Sequence, residues 1–133
     1  MKTNDLSCVL RIDSAHGSAL LTGDLEARGE ALLLREQAPL RADALLVPHH
    51  GSRTSSTPAF VAAVAPRVAI FTAGYRNRFG HPRAEVVARY ERVGAALLRS
   101  DRQGAVTLTF GPGAPSIPVA ARDAQRRYWY DPP

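Results

Sequence analysis

The chain has 133 residues, 45% of them hydrophobic and 22% charged, a balance that suits one folded domain and excludes a wholly disordered segment. Seventeen basic residues against 12 acidic ones give a formal charge of +5. That surplus favours anionic partners, nucleic acid foremost, although the arginines are scattered and a codon-biased Ala- and Arg-rich composition accounts for it equally well. No stretch approaches the roughly 18 apolar residues of a membrane span, and the start, MKTND, has no apolar signal core.

Residues 6–13 (LSCVLRID) are β-rich, residues 18–22 form a second apolar run, and Ser14-Ala15-His16-Gly17 between them supplies a turn, which predicts a β-hairpin. The single cysteine, Cys8, excludes an internal disulfide and is expected as a small buried residue in the first strand. Residues 26–36 (EARGEALLLRE) read as a helix with Leu32 and Leu33 turned to the core, Asp24 able to cap it, and Pro39 ending it. Residues 44–47 (ALLV) are too short for a helix and read as a buried strand stopped by Pro48. A polar loop (GSRTSST) follows. Thr57-Pro58 then has the form of an N-cap with proline at the first helical position, starting a helix to about residue 65.

Residues 68–72 (VAIFT) predict another buried strand, residues 74–82 a polar loop, and residues 83–93 a helix with Val86, Val87 and Tyr90 inward. Residues 96–98 and 105–110 complete the strands around a turn at 101–104. From 113 onward the Pro/Gly-rich run reads as an irregular segment ahead of the basic, aromatic Arg126-Arg127-Tyr128-Trp129-Tyr130. That last cluster suits either a terminal strand packing its rings or a surface that stacks nucleobases. Strands alternating with helices argue an α/β layered fold, a mixed β-sheet flanked by helices, in residues 1–112.

In such folds, polar residues just past the carboxyl ends of buried strands collect in one crevice. Asp24, the pair His49-His50, and His81 all fall at such points. Asp24 can bridge cations or merely cap a helix. Adjacent histidines in an extended segment point to opposite sides, so one of the pair is expected to ligate a metal and the other to face substrate. Gly51 and Ser52 allow close approach and a small donor. His81, between Gly80 and Pro82, suits a phosphate contact or a general acid. His16 sits in the far hairpin turn and has no assigned role. A two-metal hydrolase needs roughly six to eight ligands, and no His-x-His-x-Asp-His occurs in this chain.

Taken in order, Asn4-Asp5-Leu6-Ser7, Leu21-Thr22-Gly23-Asp24, Val47-Pro48-His49-His50-Gly51-Ser52-Arg53-Thr54-Ser55-Ser56, Arg78-Phe79-Gly80-His81-Pro82 and Asp101-Arg102-Gln103-Gly104-Ala105 resemble the C-terminal metallo-β-lactamase-like domain of ComEC-type DNA-internalisation competence proteins. The resemblance implies the C-terminal half of an αββα sandwich, two divalent metals of the zinc or manganese class, and phosphodiester hydrolysis of DNA. Carried over, Asp24 is the metal-bridging carboxylate and His50 the second-metal ligand. His49 lies toward the scissile phosphate, though the two histidines can exchange these parts. His81 is then a phosphate donor or acid, and Ser52, Arg53 and Arg78 contact substrate.

The family's parent is a polytopic inner-membrane channel, which implies a soluble domain on its outer, periplasmic side with the rest of that protein as partner. The family's His-x-His-x-Asp-His lies upstream of these motifs, so this chain is expected to bind metal weakly and catalyse little alone. An apolar sheet face that the missing half would cover can drive self-association. Two other readings stand beside this one: another metallo-β-lactamase-fold hydrolase acting on lactones or phosphoesters, and a basic DNA-binding module without catalysis.

Overall fold

The computed structural model describes residues 3–112 and 118–128. A short 3-10 turn at Thr3–Leu6 precedes the hairpin of β1 (Leu10–Ser14) and β2 (Gly17–Leu21), whose register pairs Leu10 with Leu21 and Ser14 with Gly17. The turn is closed as its residues dictate, Ser14 Oγ accepting from the His16 amide at 3.1 Å and donating to the Gly17 carbonyl at 3.0 Å. Because the first residues coil into the 3-10 turn, the strand begins later than expected, and Cys8 is exposed rather than buried.

Helix α1 (Ala27–Arg35) follows, then β3 (Ala44–Leu46), α2 (Pro58–Val64), β4 (Val68–Phe71), α3 (Ala84–Arg92) and β5 (Ala96–Arg99). The five strands form one sheet in the order β1-β2-β3-β4-β5, with β1 antiparallel to β2 and all other pairs parallel. This is the expected α/β fold with a mixed sheet. Four parallel strands end together, and the loops leaving β2, β3 and β4 gather at one edge.

The three helices cover one face. Leu20, Leu45, Ala69 and Phe71 from the strands meet Phe60, Val61 and Val64 of α2 and Val86 and Tyr90 of α3 in a core whose members are at most 5% exposed. Phe71 and Tyr90 meet edge to face, ring centroids 5.6 Å apart. In α1 the inward stripe runs through Glu30, Leu33 and Leu34, the i, i+3, i+4 spacing of one helical face. Leu32, expected inward, therefore lies outward and is 42% exposed. Asp24 does not cap α1; Glu26 occupies that position, without a side-chain capping bond. At α2 the expectation holds, with Thr57 Oγ1 accepting from the Phe60 amide and Pro58 at the first turn.

The other sheet face is apolar across every strand. Leu10, Leu21, Leu46, Ile70 and Leu98 stand in register as one row, with Ile12, Ala19, Ala44, Val68 and Ala96 beside it. Leu10 and Ile12 are about half exposed on this face.

Beyond β5 the chain departs from expectation. Residues read as a turn wind into α4 (Ser100–Gln103), and Gln103 Oε1 accepts the Arg99 amide at 2.9 Å, occupying a donor near the end of the edge strand. The predicted strand over 105–110 is reduced to β6 (Val106–Thr107), which pairs with β7 (Val119–Ala120) in a separate two-stranded sheet. A short α5 (Ala121–Ala124) follows, so the segment read as irregular contains two elements. Arg126, Arg127 and Tyr128 form no strand, and Tyr128 is 96% exposed; Trp129 and Tyr130 lie outside the described residues.

One buried polar group organises the helix layer. Glu30 is fully buried and its two carboxylate oxygens accept the amides of Ser56 (2.5 Å) and Thr57 (2.8 Å), just ahead of α2. Ser56 Oγ pairs with the Tyr90 hydroxyl at 2.8 Å, and Arg89 donates to the Ser55 and Ser56 carbonyls at 3.1 and 2.7 Å. Burial raises the Glu30 pKa above the ordinary carboxylate value, against the bonds from Thr57 and Ser56 and the charge of Arg89. Glu30→Ala strands two buried amides, at about 1–3 kcal/mol each, and should lower the urea midpoint measured by circular dichroism. A carboxyl whose folded pKa is raised contributes stability that is complete below its unfolded pKa and lost as pH rises through the folded one. The wild-type advantage over Glu30→Ala should thus be larger at pH 4 than at pH 7; an unchanged midpoint at both would contradict the role of Glu30.

Candidate functional site

The crevice is built where β2, β3 and β4 end. Thr22, fully buried, donates from Oγ1 to the Leu46 carbonyl at 2.8 Å and locks the ends of β2 and β3 together. Gly23 then turns the chain, and its carbonyl accepts the His49 amide at 3.0 Å. That bond joins the loop carrying Asp24 to the loop carrying the histidines.

His49 and His50 do not lie in an extended segment. Both occupy the left-handed region, at φ 49° and φ 58°, inside a tight turn over Pro48–Gly51. Few non-glycine residues take this conformation, and consecutive ones are costly unless the surroundings hold them. They are held: the Ser52 amide reaches the His49 carbonyl at 2.9 Å, Ser55 Oγ donates to the carbonyls of Pro48 and Ser52 at 3.0 Å each, and Gly51 O accepts the Arg83 amide at 3.0 Å. Gly51, at φ 80°, packs so tightly that a Cβ would sit 2.6 Å from Pro82 and 2.9 Å from Phe71. The turn presents both rings to the crevice, their centroids 6.3 Å apart, rather than to opposite sides.

His50 Nδ1 lies 2.6 Å from the Thr72 carbonyl. A carbonyl only accepts, so Nδ1 carries a hydrogen, and the neutral form of the ring has its lone pair on Nε2. That Nε2 faces Asp24 Oδ1 at 3.5 Å, with both side chains about half exposed. Two ligands at about 2.0–2.2 Å on a tetrahedral ion stand roughly 3.4 Å apart, and a backbone carbonyl on the other ring nitrogen is the usual orienting partner of a ligating histidine. Asp24 and His50 thus have the spacing of two donors for one ion. Among the described residues, no group of three or more His, Cys, Asp or Glu side chains is placed to hold a metal.

His49 is held from the other side. Its Nδ1 is 3.5 Å from Glu26 Oε1 and 3.4 Å from Thr54 Oγ1, and Thr54 Oγ1 itself donates to Glu26 at 3.1 Å. Asn4 Nδ2 adds a bond to the same carboxylate at 3.2 Å. His81 approaches His49 at 5.9 Å between centroids. Its pKa is lowered, first by burial and then by the positive fields of His49, Arg83 and His50, so its neutral form dominates near pH 7.

Asp24, His49, His50 and His81, expected from separate segments, therefore converge. Arg53 and Arg78 are exposed on the flanking loops, Arg78 with Cζ 5.0 Å from the Phe79 ring centroid. Ser52, expected to donate to substrate, is only 7% exposed, and its hydroxyl pairs with Thr54 Oγ1 at 3.1 Å; it supports the residue that reaches His49. Sequence reading missed Glu26, Thr54 and Thr72. Glu26 opens the predicted helix over 26–36 and Thr72 closes the predicted strand over 68–72, boundary positions that could have flagged them.

The fold and this crevice define an α/β protein with an imidazole- and carboxylate-lined site at the carboxyl ends of a parallel sheet. No protein-family model matches the chain. It is 37% identical over 131 residues to competence protein ComA of Neisseria gonorrhoeae, covering 98% of this chain and 19% of that protein. It is 37% identical over 103 residues to ComE operon protein 3 of Bacillus subtilis (77% of this chain, 13% of that protein), and 36% identical over 107 residues to recombination protein 2 of Haemophilus influenzae (80% and 13%). The chain belongs to the ComEC-type competence proteins and spans less than a fifth of the length of these relatives. No helix among the described residues is long and apolar enough to cross a membrane.

In a proton NMR titration, the His81 ring should titrate below the ordinary 6.5, and His49→Ala, by removing one of the neighbouring positive fields, should move its midpoint upward. A His81 midpoint at or above 6.5 in the wild type would contradict this environment.

Proposed function

We propose that this chain is the C-terminal half of a metallo-β-lactamase-like, metal-dependent phosphodiesterase domain that acts on DNA within a competence protein during natural transformation. The observation that carries the reading is the Asp24–His50 pair, 3.5 Å apart, with His50 Nδ1 held at the Thr72 carbonyl. Competence relatives on three sides support the biological setting. The lengths of those relatives support the rest of a larger membrane protein as partner, with this domain expected on its outer side.

Asp24 and His50 would hold one edge of a centre of zinc or manganese class, two ions in the intact domain. When bound, such ions lower the pKa of a coordinated water and neutralise the phosphate oxygens. The chain's own groups do the remaining work. His49, oriented by Glu26 and Thr54, presents an imidazole beside the scissile phosphate. His81, kept neutral, donates or accepts one hydrogen bond there. Arg53 and Arg78 balance the backbone charge of the strand. The remaining ligands would come from the His-x-His-x-Asp-His segment of the family. The half that carries it would lie against the sheet face that bears the Leu10 to Leu98 row, most exposed at Leu10 and Ile12, an apolar face of the kind that otherwise supports self-association.

Manganese- or zinc-dependent DNA cleavage, measured on a polypeptide extended to include the upstream half, tests the reading. Asp24→Asn and His50→Ala should each lower metal affinity or cleavage by 10-fold or more. Cleavage of small esters or lactones only would overturn it. Salt-sensitive DNA retention without cleavage would favour instead the binding module.

A further inference from the structure

We propose that the outer edge of β1 pairs with the same edge of a second copy of this chain, joining the two sheets across a two-fold axis at Ile12. The pairing does not depend on the reading of the crevice.

The two edges of the sheet differ. At β5 the Arg99 amide is occupied by Gln103 Oε1 at 2.9 Å. The β1 edge has no such cover. It contains no proline or lysine, and its register with β2 runs from Leu10 to Ser14 without a bulge. Among the described residues, no bond from another element reaches the amides or carbonyls of Arg11 and Asp13.

The turn decides which groups point outward. The two-residue turn Ala15-His16 closes on Ser14 and Gly17, a pair that exchanges both hydrogen bonds. Bonded pairs then alternate through Ile12–Ala19 and Leu10–Leu21. Arg11 and Asp13 lie between them, so their N–H and C=O groups face away from β2. An open row of this kind is a template for another strand.

The side chains choose that strand. Arg11 and Asp13 stand on the helix side, as Leu20 opposite Arg11 does, and they bond to each other at 2.6 and 2.8 Å. The Arg11 guanidinium also donates to the carbonyls of Pro39 and Arg41, which holds the strand in place. Leu10 and Ile12 stand on the other side, 53% and 49% exposed. Antiparallel pairing about Ile12 sets Arg11 opposite Asp13 of the partner subunit, and Asp13 opposite Arg11 of the partner subunit. These are the residues with outward backbone groups, so each pair can exchange two hydrogen bonds. Ile12 meets Ile12 of the partner subunit in the closer, non-bonded pair, and the Leu10 side chains lie on the diagonals. A slip of two residues either way opposes Arg11 to the partner's Arg11 or Asp13 to the partner's Asp13, and like charges directly opposite are unfavourable. Charge therefore selects one register.

Such a contact is self-complementary, the form a two-fold dimer requires. Two short strands bury less than the roughly 1,200 Å² of a stable interface, so the dimer is reversible. Strand direction reverses across the axis, and the two crevices open at opposite ends of the joined sheet.

Sedimentation velocity over a concentration series, with amide exchange followed by NMR, tests the pairing. The chain should pass from monomer to dimer as concentration rises. The Arg11 and Asp13 amides should exchange more slowly in the dimer, while that of Ile12, already bonded to β2, changes least. Arg11→Asp and Asp13→Arg should each weaken the dimer about 10-fold or more by opposing like charges. Mixing these two variants should restore association, because every opposed pair then carries unlike charges. Absence of a dimer at millimolar concentration would overturn the proposal. So would a dimer that neither charge reversal weakens, or one in which the Arg11 and Asp13 amides exchange as fast as in the monomer; association through the sheet face gives those two results. The exchange measurement needs no variant, so loss of native circular dichroism in a variant still leaves a decisive readout.

Discussion

The arrangement rests on the buried carboxylate of Glu30. It stands in the one stripe of α1 that faces the core, and its oxygens are satisfied by two amides at the start of α2. That pairing fixes residues 52–57, which in turn hold the turn over Pro48–Gly51 from behind through Ser55. A buried acid with apolar neighbours costs folding free energy unless its hydrogen bonds are complete. The return on that cost is a pair of histidines kept in a left-handed conformation that the free chain rarely visits.

From that anchor the crevice follows by topology. Parallel strands deliver their outgoing loops to one edge, and the Thr22 and Gly23 bonds bring the β2 loop against the β3 loop. The two imidazoles are fixed by different means: His50 by a backbone carbonyl at the end of β4, His49 by a carboxylate and a hydroxyl from α1 and its own loop. One ring thereby turns its Nε2 toward Asp24. The other stands between that pair and His81. Unequal second partners give adjacent, chemically identical side chains two different settings.

Much of this was legible beforehand. The hairpin, α1 to α3 and the strands β3 to β5 follow from apolar runs of strand length, from the Thr57-Pro58 start and from helical spacing at Val86 and Tyr90. The convergence of Asp24, His49, His50 and His81 follows from their places after strands. What failed was whatever depends on backbone dihedrals or on distant partners. Reading His49 and His50 as extended put their rings on opposite sides, whereas two consecutive positive φ values bring both to the crevice. Leu32 was preferred to Leu34 because no local signal says that the inward stripe is centred on a glutamate. Cys8 lay in an alternating run that the 3-10 turn before it displaces to the surface. Beyond residue 99, a helical turn and a detached two-stranded sheet replace the expected strand, since pairing of Val106 with Ala120 is a contact of long sequence separation that periodicity cannot foresee.

The central claim is that Asp24 and His50 form one edge of a divalent-metal site. Paramagnetic broadening by substoichiometric manganese in the amide spectrum of this chain tests it most directly, because weak binding suffices. The amides of Gly23, Asp24, His50, Gly51 and Thr72 should broaden first, and Asp24→Asn should abolish the pattern. Broadening centred on other carboxylates, such as Asp101 or Asp123, or spread evenly over the surface, would contradict it.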